Sequence, residues 1–322
     1  SNPVGIVKIK GNKNSIELKS KYVKHIYWVE DYSEKTLLEF LESHINMRNT
    51  KEKTLIIPSD DYCVMFLDKY SNELEKSYFF PVAGGKSGKL LLAMDKSIQK
   101  ELAKSCGLNV AKSVTISIEK NEQYIIPNDL NFPCYTKPQI SVGFSKSYIR
   151  KCCNIEELKN LLDEVLVKHD KCDVLVEDYL PISNEYVVPG VSLLDRVEIP
   201  AFIKKLSIGN GEHKGVTEKG IVINSNLFED TKNNLKTMMK EIGLVGLFDV
   251  ELIECNNKLY FNELNLRNGA ATYGITLAGI NLPEILVNYY KGKKEIYKHS
   301  LLENYIFISE KVAYEDYCAG YS

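Results

Sequence analysis

Gly246-Leu247-Phe248-Asp249-Val250-Glu251-Leu252, followed after a short break by Leu259-Tyr260-Phe261-Asn262-Glu263-Leu264-Asn265-Leu266-Arg267, decides the reading of this chain. Apolar and polar residues alternate in both halves, which predicts two strands, Leu247 to Glu254 and Lys258 to Leu264. Cys255-Asn256-Asn257 joins them, and asparagine tolerates the positive φ of a tight hairpin turn. With a period of two, Asp249 and Glu251 share one face of the first strand, and Glu263 and Asn265 share one face of the second. Phe248, Val250, Leu252, Leu259, Phe261 and Leu264 supply the buried set. The bland alternative is a solvated sheet edge, and the apolar alternation argues against it. Like charges gathered on one face are costly without a cation. The oxygen-bearing face suits Mg²⁺ whose shell is completed by phosphate and water. Arg267 can address phosphate through its planar guanidinium.

Working outward, the text divides into three lobes: 1–93, 94–182 and 183–322. The first reads as alternating strands and helices, with Lys53 to Pro58 as a buried strand and Asp60-Asp61 opening an apolar helix. Val82-Ala83-Gly84-Gly85-Lys86-Ser87-Gly88 resembles a phosphate loop only superficially. The glycine five residues before Gly85 is missing, so a flexible connection is expected. The second lobe holds a helix from Asp95-Lys96 to Cys106, stopped by Gly107, and a strand around Val114-Thr115-Ile116. The segment Phe132 to Pro138, a loop to Lys146, a helix over Ile155 to Val167 and the strand Val174 to Glu177 complete it. The third lobe has strands at Asn184 to Val188 and Ile199 to Ile208, and a glycine-punctuated segment from Gly209 to Gly220. A helix over Glu229 to Ile242 then leads into the hairpin. The fold class is α/β followed by α+β.

Composition narrows the function. The 322 residues are 44% hydrophobic and 26% charged, with a formal net charge of -2. That balance gives no electrostatic basis for binding nucleic acid or anionic membrane. No run approaches the roughly 20 apolar residues of a membrane span, and no basic-then-apolar leader opens the chain, so a cytoplasmic enzyme is the expectation. Eight cysteines lack paired C-x-x-C spacing and read as reduced thiols, the adjacent pair Cys152-Cys153 included. His213-Lys214 reads as a surface turn, with a substrate-covering loop as the sharper alternative.

The hairpin resembles that of the ATP-grasp ligases, whose pattern runs G-x-x-x-x-E, a turn, then E-x-N-x-R. Other stretches resemble the same family in the same order: Asp95-Lys96, Phe132-Pro133-Cys134-Tyr135-Thr136-Lys137-Pro138, Val176-Glu177-Asp178-Tyr179-Leu180, Asn184-Glu185-Tyr186-Val187-Val188 and Ala278-Gly279-Ile280-Asn281-Leu282-Pro283. Lys19 to Lys24 resembles the N-terminal lobe of amino-acid ligases and carbamoyl-phosphate-synthase-like proteins. The chain opens near Pro3-Val4-Gly5, where that lobe enters its second strand, which implies a missing or shortened first βα unit. The loop Ser141-Val142-Gly143-Phe144-Ser145 holds one glycine where the family's covering loop is glycine-rich. Leu266 stands where proline often precedes the arginine.

The resemblance implies a fold that clasps ATP between two α+β lobes. Lys96 and Lys137 would contact the ATP phosphates, with Ser145 of the covering loop beside them. Glu177, Asp178, Tyr179 and Leu180 would hold the adenine edge, and Glu185 the ribose. Glu251, Glu263 and Asn265 would ligate two Mg²⁺, with Mn²⁺ able to substitute, and Arg267 and Lys137 would serve catalysis. The implied reaction joins a small carboxylate, such as an amino acid, to an amine through an acyl phosphate. Carboxyphosphate chemistry with bicarbonate and a non-catalytic nucleotide-binding module are the rival readings, and a homodimer is compatible with each.

Overall fold

The computed structural model describes residues 4–10, 18, 20–47, 52–85, 87–140, 142–144, 146–209, 215–293, 300–309, 314, 317, 318 and 320. Lys19, Lys86, Ser141, Ser145 and His213-Lys214 therefore lie outside the described residues. The chain divides into two compact units, Ser1–Thr54 with Leu74–Tyr78, and Leu55–Glu73 with Phe79–Ser322.

In the first unit the strands Val4–Ile9 and Val23–Val29 pair in parallel. The helix Glu34–Met47 buries Leu37 and Leu41, which recur at the spacing of one helical turn. Tyr78 Oη donates to Leu41 O at 2.7 Å and its ring stacks on His44. The strand expected over Lys53 to Pro58 is regular only at Thr54–Leu55, and Ile57 is half exposed. Pro58 has no N–H to give a ladder.

The second unit begins with the helix Asp61–Lys69, capped as expected by Asp60, whose carboxylate accepts from Cys63 N at 2.8 Å. Beyond it lie two sheets, the smaller antiparallel and the larger antiparallel except where Asn109–Val110 pairs in parallel with Lys258–Asn265. The smaller is a four-stranded sheet in the order Ser113–Glu119, Lys171–Asp178, Cys134–Pro138, Arg150–Cys152. Leu158, Leu161, Leu162 and Val165, all on one stripe of the helix Ile155–Lys168, cover Ile116, Ile118, Cys134, Val174 and Val176. Alternation then directs Tyr135, Lys137, Leu175 and Glu177 to the opposite face, where Lys137, Leu175 and Glu177 are also buried.

The larger sheet has nine strands among the described residues. Its centre is the twelve-residue strand Leu244–Cys255, flanked by Asn184–Ser192 on one side and Lys258–Asn265 on the other. Phe248, Val250, Leu252, Phe261 and Leu264 pack on one face under Leu235, Met238, Met239 and Ile242, the inward stripe of the helix Glu229–Ile242. On the other face Leu247, Val191 and Ile203 pack under the helices Thr272–Leu277 and Leu282–Tyr290. Asp249 and Glu251 follow Leu247 on that second face, so it changes from apolar to acidic along a single strand.

Strict alternation would place Phe261 beside Glu263. The ladder resolves this conflict with a register shift: Glu251 pairs Glu263, whereas Leu252 pairs Phe261, leaving Asn262 as an extra residue. A bulge of this kind turns Phe261 into the core while Glu263 stays on the acidic face. No helix among the described residues is long and apolar enough to cross a membrane.

Gly190 faces Phe248 across the central ladder, and a Cβ there would stand 2.3 Å from the buried ring's Cζ. Gly190→Ala should therefore cost about 1–3 kcal/mol through overpacking, read as a lower urea midpoint with an unchanged slope.

Candidate active site

Asn256 and Asn257 take φ values of 51° and 60°, so the turn has the left-handed geometry that the asparagine pair predicts. It sets Glu251 directly opposite Glu263 and Asp249 opposite Asn265. Asn265 Nδ2 donates to Asp249 Oδ1 at 2.8 Å. Arg267 donates from Nε to Asp61 Oδ1 at 2.8 Å and from Nη2 to Asn265 Oδ1 at 3.4 Å. The end of the hairpin is thus tied to the Asp61–Lys69 helix. Gly269 lies against Asp249 so closely that a Cβ would fall 1.5 Å from Oδ2.

Lysines meet these acids from several elements. The helix Lys96–Ser105 starts at Asp95, whose side chain accepts from Ser97 N and Ile98 N. One helical turn separates Lys96 and Lys100, and both are buried. Lys96 Nζ lies 3.1 Å from Glu263 Oε1, and Lys100 Nζ lies 3.0 Å from Glu177 Oε1. Lys137, in the Cys134–Pro138 strand, reaches the other oxygen of Glu177 at 3.0 Å and donates to Asn262 Oδ1 at 2.6 Å. From the Ala201–Ile208 strand, Lys205 approaches Glu185 at 3.4 Å and Glu251 at 3.6 Å. Gln99 completes the brace, donating to Leu264 O and accepting from Leu264 N.

The electrostatics follow from burial and spacing. Burial and the neighbouring Glu251 push Asp249 up to about 7, against the opposing pull of Arg267. Glu251 is raised by the same loss of water and by Glu263, although Lys205 draws it down. Glu177 behaves differently: burial raises it, yet Lys137 and Lys100 together outweigh burial and hold it below the usual carboxylate range. At Asp249 and Glu251 burial thus outweighs the nearby cations, whereas at Glu177 the two lysines prevail.

Among the described residues no group of three or more His, Cys, Asp or Glu side chains is arranged to hold a metal ion. Glu251 and Glu263 are two carboxylates with an amide, Asn265, on the same face. Such a hard-oxygen set suits part of a Mg²⁺ shell, with phosphate and water oxygens making up the remainder. Among these, the raised Glu251 is a donor whose charged form a divalent cation would stabilise.

Most of the residues singled out in the sequence converge here: Lys96, Lys137, Glu177, Glu185, Glu251, Glu263, Asn265 and Arg267. Tyr179 and Leu180 follow the strand end, with the Tyr179 ring 4.2 Å from Lys151 Nζ. The Asp178 carboxylate instead accepts from Asn131 Nδ2 at 3.1 and 3.2 Å, away from the lysines. Sequence reading missed Lys100, Lys205, Asn262 and Asp61. Of these, Lys100 had a usable signal, since it repeats Lys96 at i+4 on a helix whose inward stripe continues to Ala103. Val82-Ala83 pairs with Leu244-Val245, and Gly84 N donates to Gly243 O at 2.8 Å, so this connection is pinned to the large sheet. All eight cysteines are free, Cys152 and Cys153 among them.

The ATP-grasp domain model matches residues 101–281. The C-terminal section of the carbamoyl phosphate synthase large chain from Aquifex aeolicus is 28% identical over 190 residues, covering 58% of this chain and 34% of that protein. Formate-dependent phosphoribosylglycinamide formyltransferase from Bacillus subtilis is 26% identical over 227 residues, covering 67% of this chain and 55% of that protein. The chain thus spans about a third to a half of these relatives. Among solved structures, N5-carboxyaminoimidazole synthetase from Staphylococcus aureus complexed with ADP superposes with a TM-score of 0.67 at 16% identity, covering 95% of this chain and 75% of that one. With more than half of its length matched by the family model and the same fold in its neighbours, the chain belongs to the ATP-grasp family.

Proposed function

We propose that this chain is an ATP-dependent ligase that activates a small carboxylate, such as an amino acid, as an acyl phosphate and passes it to an amine. The observation that carries this reading is the placement of Glu251 opposite Glu263, with Lys137 reaching from the other sheet to Asn262 beside them. Glu251, Glu263 and Asn265 would hold two Mg²⁺ ions, or Mn²⁺ in their place, which supply charge neutralisation for the transferring phosphoryl group. Lys96 and Lys137 bring ammonium groups to the same face for the ATP phosphates. Arg267, steadied by Asp61, is fixed for the phosphoryl oxygens and the acyl phosphate. Glu177 to Leu180 would hold the adenine edge and Glu185 the ribose, a reading supported by the Lys205 contacts that place Glu185 near Glu251. No side-chain nucleophile is required, because positioning and electrostatics carry phosphoryl transfer. On this reading residues 94–182 and 183–322 are the two clasping lobes.

Carboxyphosphate formation from bicarbonate is the second reading, favoured by the match to carbamoyl phosphate synthase. Phosphate release separates the two. Release with Mg·ATP and an amino acid, but not with bicarbonate alone, is the expected result, and the reverse pattern would replace the first reading with the second. A thermal-shift screen with ATP, Mg²⁺ and pooled amino acids should raise Tm most for the pool that contains the substrate, since binding to the folded state stabilises by mass action.

Glu263→Gln should lower Mg-dependent ATP turnover by about a hundredfold or more, because a metal-held charge contributes several kcal/mol, while circular dichroism stays unchanged. Gly269→Ala should displace Asp249 from Asn265 and weaken Mg²⁺ activation about tenfold, the lower range for loss of an outer-shell partner, read as a higher Mg²⁺ concentration at half-maximal rate. Full activity in the Glu263→Gln chain would remove the hairpin from the mechanism.

A further inference from the structure

Glu177 is the buried carboxylate of the smaller sheet, 6% exposed, and it sits between two ammonium groups. Lys100, 3% exposed, takes Oε1 at 3.0 Å, and Lys137, 6% exposed, takes Oε2 at 3.0 Å. Lys100 Nζ and Glu177 Oε1 have no hydrogen-bond partner among the described residues, so each depends on their ion pair. The helix that supplies Lys100 also supplies Lys96 to Glu263, so one helix face serves both sheets.

The three charges do not cancel. Lys100, Glu177 and Lys137 together carry one net positive charge in a site where little water screens it. With Lys100 removed, Glu177 and Lys137 would form a neutral pair, and the ammonium aimed at Asn262 would present almost no net field to an anion. A simple structural brace would need only one ion pair. A second buried lysine, whose desolvation costs several kcal/mol, calls for a separate explanation.

Resting on the Mg·ATP reading above, we propose that Lys100 is a positioning residue for nucleotide phosphates: it neutralises Glu177 and so leaves Lys137 its positive charge for the polyphosphate. Lys100 acts only through its neighbours. Burial pulls its pKa below the ordinary lysine value, Glu177 opposes that, and Lys137 adds to the lowering, which is the cost of placing two ammonium groups on one carboxylate. The ligand class recognised is a nucleoside polyphosphate, distinguished from the bare nucleoside by charge.

The test compares Mg·ATP and adenosine affinities by calorimetry for the full chain and three variants. Lys100→Met should weaken Mg·ATP at least about tenfold, as expected for losing one unit of charge in a weakly screened site, with adenosine affinity unchanged. Lys100→Arg should keep the preference for ATP. Lys100→Met combined with Glu177→Gln restores one net positive charge and should return the ATP-to-adenosine ratio to within a few-fold of the unaltered chain. An unchanged ratio in Lys100→Met, or a double variant that stays as weak as Lys100→Met, would overturn the role of Lys100 while leaving the ATP site standing. If Lys100→Met does not fold, the double variant decides, and a lost preference there would likewise overturn it. An unaltered chain with no preference for Mg·ATP over adenosine would overturn the ATP reading itself, and this role with it.

Discussion

Glu251 and Glu263 face each other across one rung of an antiparallel ladder, a position in which like charges normally repel. The second unit is arranged around tolerating that repulsion. Lys205 comes to Glu251 from a strand two places away in the large sheet, and Lys96 comes to Glu263 from a helix on the sheet's flank. Each carboxylate thus has a cation from a different element. The hairpin itself remains acidic, with Asp249 added at its buried end. An acidic face bounded by lysines can take a divalent cation and a polyphosphate together, because each neutralises what the other leaves over.

The same logic explains why the smaller sheet is not acidic. Its one buried carboxylate, Glu177, is outnumbered by lysines, and leaving it unpaired there would cost about 3–5 kcal/mol. One sheet presents an excess of carboxylates and the other an excess of ammonium groups around its buried carboxylate. A magnesium–nucleotide complex has charge complementary to both. Lys137 links the two regions through Asn262, and the Lys96–Ser105 helix links them again through its two lysines.

Much of this was legible in the sequence because it is local. The Asp95 cap, the Glu229–Ile242 helix and the Asn256-Asn257 turn each rest on a few neighbouring residues whose preferences agree. The hairpin's acidic face was legible because period-two alternation holds through most of both strands. The slip at Asn262 was not, since a one-residue bulge leaves composition and hydropathy almost unchanged while reversing which face follows. Lys205 and Asp61 were hidden for another reason: their partners lie far along the chain, and nothing near either residue indicates burial. Lys100 was legible in principle, since it repeats Lys96 one helical turn on, but its partner Glu177 lies far along the chain. The strand expected over Lys53 to Pro58 was overextended because its apolar run hides the missing donor at Pro58.

The central claim is that the hairpin acids and the surrounding lysines together form a site for magnesium-bound ATP. Calorimetric titration of the unaltered chain with ATP, once with Mg²⁺ and once with excess EDTA, tests it most directly. The account predicts saturable one-to-one binding that tightens at least about tenfold with Mg²⁺, since the hairpin carboxylates would repel the phosphates unless a cation neutralised them. Equal binding in EDTA, or no binding in either condition, would contradict it.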